Sequence, residues 1–200
     1  NGDPLWYMDE EDENHNPTGK RVTTNDYGSA DYYYVNKSSL PKVYGGFNTS
    51  LSWKGFDLSA IFAYSIGGYI YNRDITMILH NGSLEGRDWS TEILRRWTPD
   101  NRYTDVPALS TTSNNWNSAS TRFLQNNSYM RLKNLTLSYN LPKQWISKLS
   151  LSSVQVYVQG DNLFTIHRNQ GLDPEQGITG ITYYRYPAMR TISGGINVSF

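Results

Sequence analysis

The stretch VYGGFNTSLSWKGFDLSAIFAYSIGGYIYN runs from Val43 to Asn72. In its first part Val43, Gly45, Phe47, Thr49, Leu51 and Trp53 share one parity, with Tyr44, Gly46, Asn48, Ser50 and Ser52 between them. After Lys54–Gly55 the pattern resumes: Phe56, Leu58, Ala60, Phe62, Tyr64 and Ile66 against Asp57, Ser59 and Ser65. Side chains of a strand alternate between two faces, so a period of two marks strands with one apolar side. Two such runs about a two-residue, Gly-containing link read as a hairpin. The strands are expected over 43–53 and 56–72.

Three further stretches carry the same period. In 122–140, Leu135, Leu137 and Tyr139 alternate with Thr136, Ser138 and Asn140. Its upper half changes phase, since Arg131 and Lys133 share the parity of Leu135 while Met130 and Leu132 oppose it. Either a β-bulge near Lys133–Asn134 restores the faces, or the basic residues lie beyond the apolar band. In 151–164, Val154, Val156 and Val158 alternate with Gln155, Tyr157 and Gln159; in 188–200, Ile192, Gly194, Ile196, Val198 and Phe200 alternate with small polar residues. About five long strands result. The links between them are short at Lys54–Gly55 and Leu141–Leu149, and long at Arg73–Thr121 and Thr165–Pro187. Every long link falls at one end of the strands. The leading Asn1–Lys42 is polar and turn-rich and reads as a long loop. Within the first long link, Asp88–Trp97 reads as a short helix capped by Asp88, with Trp89, Ile93 and Trp97 on one stripe and Pro99 beyond its end.

Composition narrows the class. The 200 residues carry 18 Lys+Arg and 18 Asp+Glu, a balance that argues against a nucleic-acid partner. There are 16 Tyr against 6 Trp and 6 Phe, a bias toward sites apolar on one side and wet on the other. No cysteine is present, which excludes disulfides and thiolate chemistry. No apolar run reaches the length of a membrane-spanning helix. The sequence opens without Met on polar residues and reads as a mature product or a piece of something longer.

Loops gathered at one end, an apolar face and a reverse face of small polar residues fit the wall of a transmembrane β-barrel. There lipid meets the apolar side and Tyr and Trp collect at the interfaces. Trp53, Tyr64, Tyr69, Tyr71, Tyr139, Trp145 and Phe200 lie toward strand ends, and Phe200 is expected to anchor the last strand at the short-link rim. The same alternation also suits a soluble, aromatic-rich β-sandwich that binds carbohydrate. About eight strands are the fewest that close such a barrel. Five would leave bare edges, so the sequence reads as part of a larger wall.

Particular runs add a resemblance. GDPLWYMDEEDENHNPTGKR, LPKVYGGFNTSLSWKGFDLSAIFAYSIGGYIYN, STEILRRWTPDNRYTDVPAL, STRFLQNNSYMRLKNLTLSYNLP, VQVYVQGDNLFTI, GLDPE and YPAMRTISGGINVSF resemble, in order, the C-terminal end of the SusC/RagA family. These are TonB-dependent outer-membrane transporters of Bacteroidota. The resemblance implies an all-β fold: antiparallel strands forming the C-terminal section of a large transmembrane β-barrel, with long extracellular loops and one short loop helix. It implies a multi-pass location in the outer membrane of a Gram-negative bacterium, among outer-membrane lipid. It implies import of an oligosaccharide or peptide substrate with a SusD-like surface lipoprotein, energised by TonB through an N-terminal region that these residues do not include. No plug domain is expected within 1–200, and the segment would contribute wall and loops. A surface barrel without transport is the other reading of the same strands.

No catalytic constellation is visible, and an enzyme is not expected. His15, His80 and His167 are scattered without ligand spacing. Asp173 and Glu175 of GLDPE read as turn residues. Asp12, Asn14 and Asn16 keep the spacing of a calcium loop, but Pro17 stands where Gly is needed and no bidentate Glu follows, so a solvated acidic loop is the simpler reading and no cofactor is expected. Trp89, Trp97, Trp116, Tyr183, Tyr184 and Tyr186 are loop aromatics able to stack on a sugar or meet a partner. For Trp89 and Trp97 the alternative is packing of the loop helix. Trp53, Tyr64, Tyr139 and Phe200 are assigned to the membrane rims.

Overall fold

The computed structural model describes the chain except residues 81, 83, 84, 111, 113, 114, 170 and 176–178, and leaves the Leu149 side chain undescribed. In chain order the strands are β1 (Trp6–Glu11), β2 (Pro17–Thr24), β3 (Val43–Trp53), β4 (Phe56–Ile66), β5 (Tyr69–Asn72), β6 (Leu124–Asn126), β7 (Tyr129–Asn140), β8 (Ser153–His167), β9 (Ile181–Thr182) and β10 (Thr191–Ser199). Two short α-helices are α1 (Arg73–Ile78) and α2 (Lys143–Ile146). The chain divides into two compact units: Asn1–Asn36 with Asn72–Leu124, and Lys37–Tyr71 with Gln125–Phe200.

The second unit holds the wall. Its five-stranded sheet has the order β10-β8-β7-β4-β3, and all neighbours are antiparallel. Each wall strand therefore pairs with the wall strand before it in sequence. The β3–β4 link is Lys54–Gly55, with both residues at positive φ. The register Leu51↔Leu58↔Leu137↔Val158 puts the apolar parities of four strands in one row. The phase change in β7 is a bulge: register slips between Leu132 and Asn134 against β8, and between Ile61 and Phe62 against β4. It returns Leu132 to a place opposite Phe62 and Phe164, and Met130 opposite Tyr64 and Ile166.

Several strand limits differ from the sequence reading. The run 56–72 is broken at Gly67–Gly68. Gly67 has φ +92 and its N–H donates to Ser128 Oγ at 2.9 Å. β5 then leaves the wall for a small sheet of order β6-β5-β9. The run 122–140 begins as wall only at Tyr129, β8 continues to His167, and β10 starts at Thr191. Hydrophobic period marks where a strand is half-buried, and these ends lie where that contrast fades.

The first unit corrects two readings. Asn1–Lys42 is not all loop, because β1 and β2 form a hairpin with Trp6↔Thr24 and Asp9↔Arg21 in register. β1 sets Trp6, Tyr7 and Met8 in succession before its acidic half, and β2 is mostly Thr and basic residues, so neither displays a period of two in hydrophobicity. The helix expected over Asp88–Trp97 is a 3₁₀ turn, Thr91–Arg95, and its cap is Ser90, whose Oγ accepts from Glu92 N at 3.3 Å. At three residues per turn, Trp89, Ile93 and Trp97 do not form one stripe. The unit's core is Ile93, Val106 and Trp116.

Candidate functional site

The wall presents two chemically different faces. On the apolar face Phe47 is 48% exposed, Leu58 39%, Val156 43% and Ile196 64%. Val43, Leu51, Ile66, Leu137, Val158, Phe164, Ile166, Ile192 and Val198 are exposed beside them. A sandwich would bury these side chains. Soluble monomers rarely expose contiguous apolar patches beyond a few hundred Å², so this face needs an apolar environment. β3 and β4 have 11 residues each; at roughly 3.4 Å per residue they reach about 37 Å. A tilt of about 40° leaves about 28 Å of height, which matches a lipid-facing band of about 25 Å.

Aromatics mark the ends of that face. Trp53 and Trp145 are exposed at the short-link end, with Lys54 Nζ 5.0 Å above the Trp53 ring. Phe56 and Tyr139 lie beside each other there, ring centroids 4.5 Å apart. Phe200 is exposed beyond β10. Tyr64 sits near the other end of β4 and lies across Gly45, whose missing side chain leaves the space for its ring.

The opposite face carries a hydrogen-bonded polar ladder. Asn197 Nδ2 donates to Gln155 Oε1 at 3.2 Å, and Gln155 Nε2 donates to Ser138 Oγ at 3.3 Å. Higher up, Asp161 Oδ1 accepts from Asn134 Nδ2 at 2.8 Å and from Gln159 Nε2 at 3.2 Å. Near the short-link end Asp57 accepts from Ser52 Oγ at 2.5 Å and from Asn140 Nδ2 at 2.8 Å. Polar groups thus bond to one another across strands, and a face so rich in them suits the lumen side of a barrel rather than lipid.

At the long-link end of this polar face lies a charge cluster that sequence reasoning missed. Arg131 projects from β7 with its side chain 4% exposed and meets Asp173, at 6%. Arg131 Nη2 donates to Asp173 Oδ1 at 2.5 Å, Nη1 to Glu175 Oε2 at 2.8 Å and Nε to Thr165 Oγ1 at 2.8 Å. Lys133 Nζ donates to both Glu175 oxygens, at 2.9 and 2.8 Å. Burial raises the Asp173 pKa. The Arg131 hydrogen bond, backbone donors at Ala188 and Glu175 and the Arg131 charge outweigh it, leaving the carboxyl below its ordinary range. Asp173 and Glu175 do form a turn, the Glu175 N–H donating to Asp173 Oδ1 at 2.9 Å, and they also meet Arg131 and Lys133, whose shared odd parity is the sequence signal of the cluster.

The same link carries three of the proposed contact residues. Tyr183 and Tyr184 are exposed with ring centroids 4.1 Å apart, Tyr184 has φ +50, and Tyr186 is 99% exposed. In the first unit the tryptophans diverge. Trp116 is only 5% exposed; its indole N–H donates to the Leu79 carbonyl, and the Arg122 guanidinium covers its ring at 3.8 Å. A core residue has no face left for a sugar, so the expectation that Trp116 meets substrate is corrected. Trp97 packs on the Gly2 backbone, where an added Cβ would come within 2.6 Å of its ring. Trp89 is exposed on one side and edge-on to His80 on another, at 5.2 Å.

Asp12, Asn14 and Asn16 form the tip of the β1–β2 hairpin. Asp12 Oδ1 accepts from the backbone N–H of Asn14 at 2.8 Å and of Asn16 at 2.9 Å. Those donors, Asn16 first, hold its pKa below the usual value. The carboxylate is occupied by its own turn. Among the described residues no group of three or more His, Cys, Asp and Glu is placed to share a metal ion.

No protein-family model matches the chain. It is 34% identical to TonB-dependent receptor P3 of Formosa agariphila over 166 residues, 78% of this chain and 16% of that receptor. It is 28% identical to TonB-dependent receptor SusC of Bacteroides thetaiotaomicron over 198 residues, 97% of this chain and 19% of that receptor. The structure of the RagAB peptide transporter matches all of this chain and 21% of its own, with a TM-score of 0.81 and 34% identity. The chain thus spans about a fifth of the length of these relatives.

Proposed function

This chain belongs to the SusC/RagA-like TonB-dependent receptors of the outer membrane, and we propose that it supplies wall strands and outward links to a nutrient importer. The observation that carries this reading is the broad exposed apolar face of the five-stranded sheet, backed by a polar ladder. Lipid covers the first and the aqueous lumen meets the second. β3 and β10, each hydrogen-bonded on one side among the described strands, pair with neighbouring wall strands of the complete receptor.

In that receptor the long links face outward, toward a SusD-like lipoprotein and the incoming oligosaccharide or peptide, and TonB supplies the energy through an N-terminal region. Tyr183, Tyr184 and Tyr186, with the exposed side of Trp89, are the contact residues this chain offers. Their rings give large, stiff area to a sugar face or a peptide side chain. None of this requires bond-making chemistry from the chain.

Uptake of fluorescent oligosaccharides and peptides by cells expressing the full receptor tests the reading. Triple replacement of Tyr183, Tyr184 and Tyr186 by Ser is expected to cut uptake of one substrate class at least tenfold at unchanged surface level. Dissipating the proton gradient is expected to abolish it. Uptake indifferent to both treatments would refute the importer role.

A further inference from the structure

We infer that Asp173 is a positioning residue: it ties the link between β8 and β10 into a closed loop on the wall and so fixes the segment that presents the tyrosines. One carboxylate joins wall and link. Its Oδ1 takes Arg131 of the wall and the Glu175 N–H of the link's first turn, at 2.5 and 2.9 Å. Its Oδ2 takes the Ala188 N–H at 2.6 Å, fifteen residues further on. The two ends of the link are thereby held at one point on β7, and Tyr183, Tyr184 and Tyr186 lie between them.

The tether has a sealed half and an accessible half. Arg131 and Asp173 are almost fully shielded, while Lys133 and Glu175 are about one-third exposed. The shielded pair is the fixed pin, since breaking a buried ion pair leaves a charge without compensation. Glu175 gives the guanidinium its second carboxylate oxygen and shares its own charge with Lys133. Asn127 Nδ2 adds a donor to the Pro174 carbonyl at 2.8 Å, so the turn after Asp173 is fastened from β7's leading end as well.

This inference deepens the reading above, from which it takes only the contact role of the tyrosines. Hydrogen exchange on the full receptor in detergent tests the tether itself. In Asp173→Asn the peptide holding Ala188 is expected to exchange at least tenfold faster, with β7 and β8 still protected. Glu175→Gln should give a smaller rise, because Arg131 and Ala188 keep Asp173. Ala188→Pro deletes the far donor and leaves the carboxylate and Arg131 in place; trypsin should then cut after Arg185 at least tenfold faster, which holds the test open where Asp173→Asn does not assemble. Unchanged exchange in Asp173→Asn, unchanged cleavage in Ala188→Pro, or equal loss of protection throughout β7 and β8 would each overturn the tether. In uptake, the half-saturating concentration is expected to rise at constant maximal rate. Faster exchange with unaltered uptake would uphold the tether and refute the contact role of the tyrosines.

Discussion

Gly46 shows how little room the wall allows at single positions. A Cβ placed there would stand 2.7 Å from the Phe62 carbonyl oxygen, a backbone atom that cannot swing aside. Gly46→Ala is therefore expected to destabilise the receptor by about 1–3 kcal/mol, the usual cost of forcing extra volume into packed structure, read as a lowered urea midpoint. Gly195 is subtler, since its would-be neighbour at 2.7 Å is the Tyr157 hydroxyl at the end of a side chain. Titration of Asp173 belongs to this scale too. Arg131 pairs with it, the Glu175 N–H donates to it and Tyr129 stands near it. Its pKa is depressed from 3.8, so its contribution is present above that value and is lost only as pH falls through the lower, folded-state one. Protection of the Ala188 amide, corrected for intrinsic exchange, is expected to persist at pH 5 and to fail only in stronger acid. Sequence placed few such side chains. Tyr183, Tyr184 and Tyr186 were recognisable as exposed loop aromatics, but the burial of Trp116 depends on Ile93 and Val106 arriving from distant positions, which no local pattern encodes.

The strands were the most legible elements, because lipid on one side and water on the other print a period of two directly into the residues. The phase change in β7 was legible for the same reason, since Arg131 and Lys133 share the parity of Leu135, but pattern alone left a bulge and basic residues beyond the apolar band both open; the register slip decides for the bulge. The β1–β2 hairpin was not legible, since cross-strand charge and hydroxyl contacts such as Thr18 Oγ1 to Glu10 Oε2 at 2.8 Å hold it without a hydrophobic contrast. Adjacent residues in β7 offer a sharp test of the face assignment. Leu135→Arg puts a charge on the apolar face at the middle of β7, opposite Ala60 of β4, and is expected to cost about 2–4 kcal/mol near the bilayer midplane. Thr136→Arg, one residue away on the polar face, is expected to cost far less. Heat-modifiable gel mobility of the two receptors in outer membranes separates them, and equal loss for both would refute the assignment.

At the scale of the whole molecule, the chain holds two units with different physics. One has an inward core of Ile93, Val106 and Trp116; the other exposes most of the apolar side chains of its wall. The first unit's stretch Asn72–Leu124 falls in the chain between β4 and β7, two paired strands of the wall. Ser65 of β4 lies directly opposite Tyr129 of β7, although 64 positions separate them. Such a junction behaves as a socket. A cassette of different length or sequence could be spliced between those two anchor points, and the ladder of backbone bonds below would not need to change, because closing a longer excursion costs only slightly more entropy. Diversification of the intervening residues is thereby uncoupled from preservation of the wall's register.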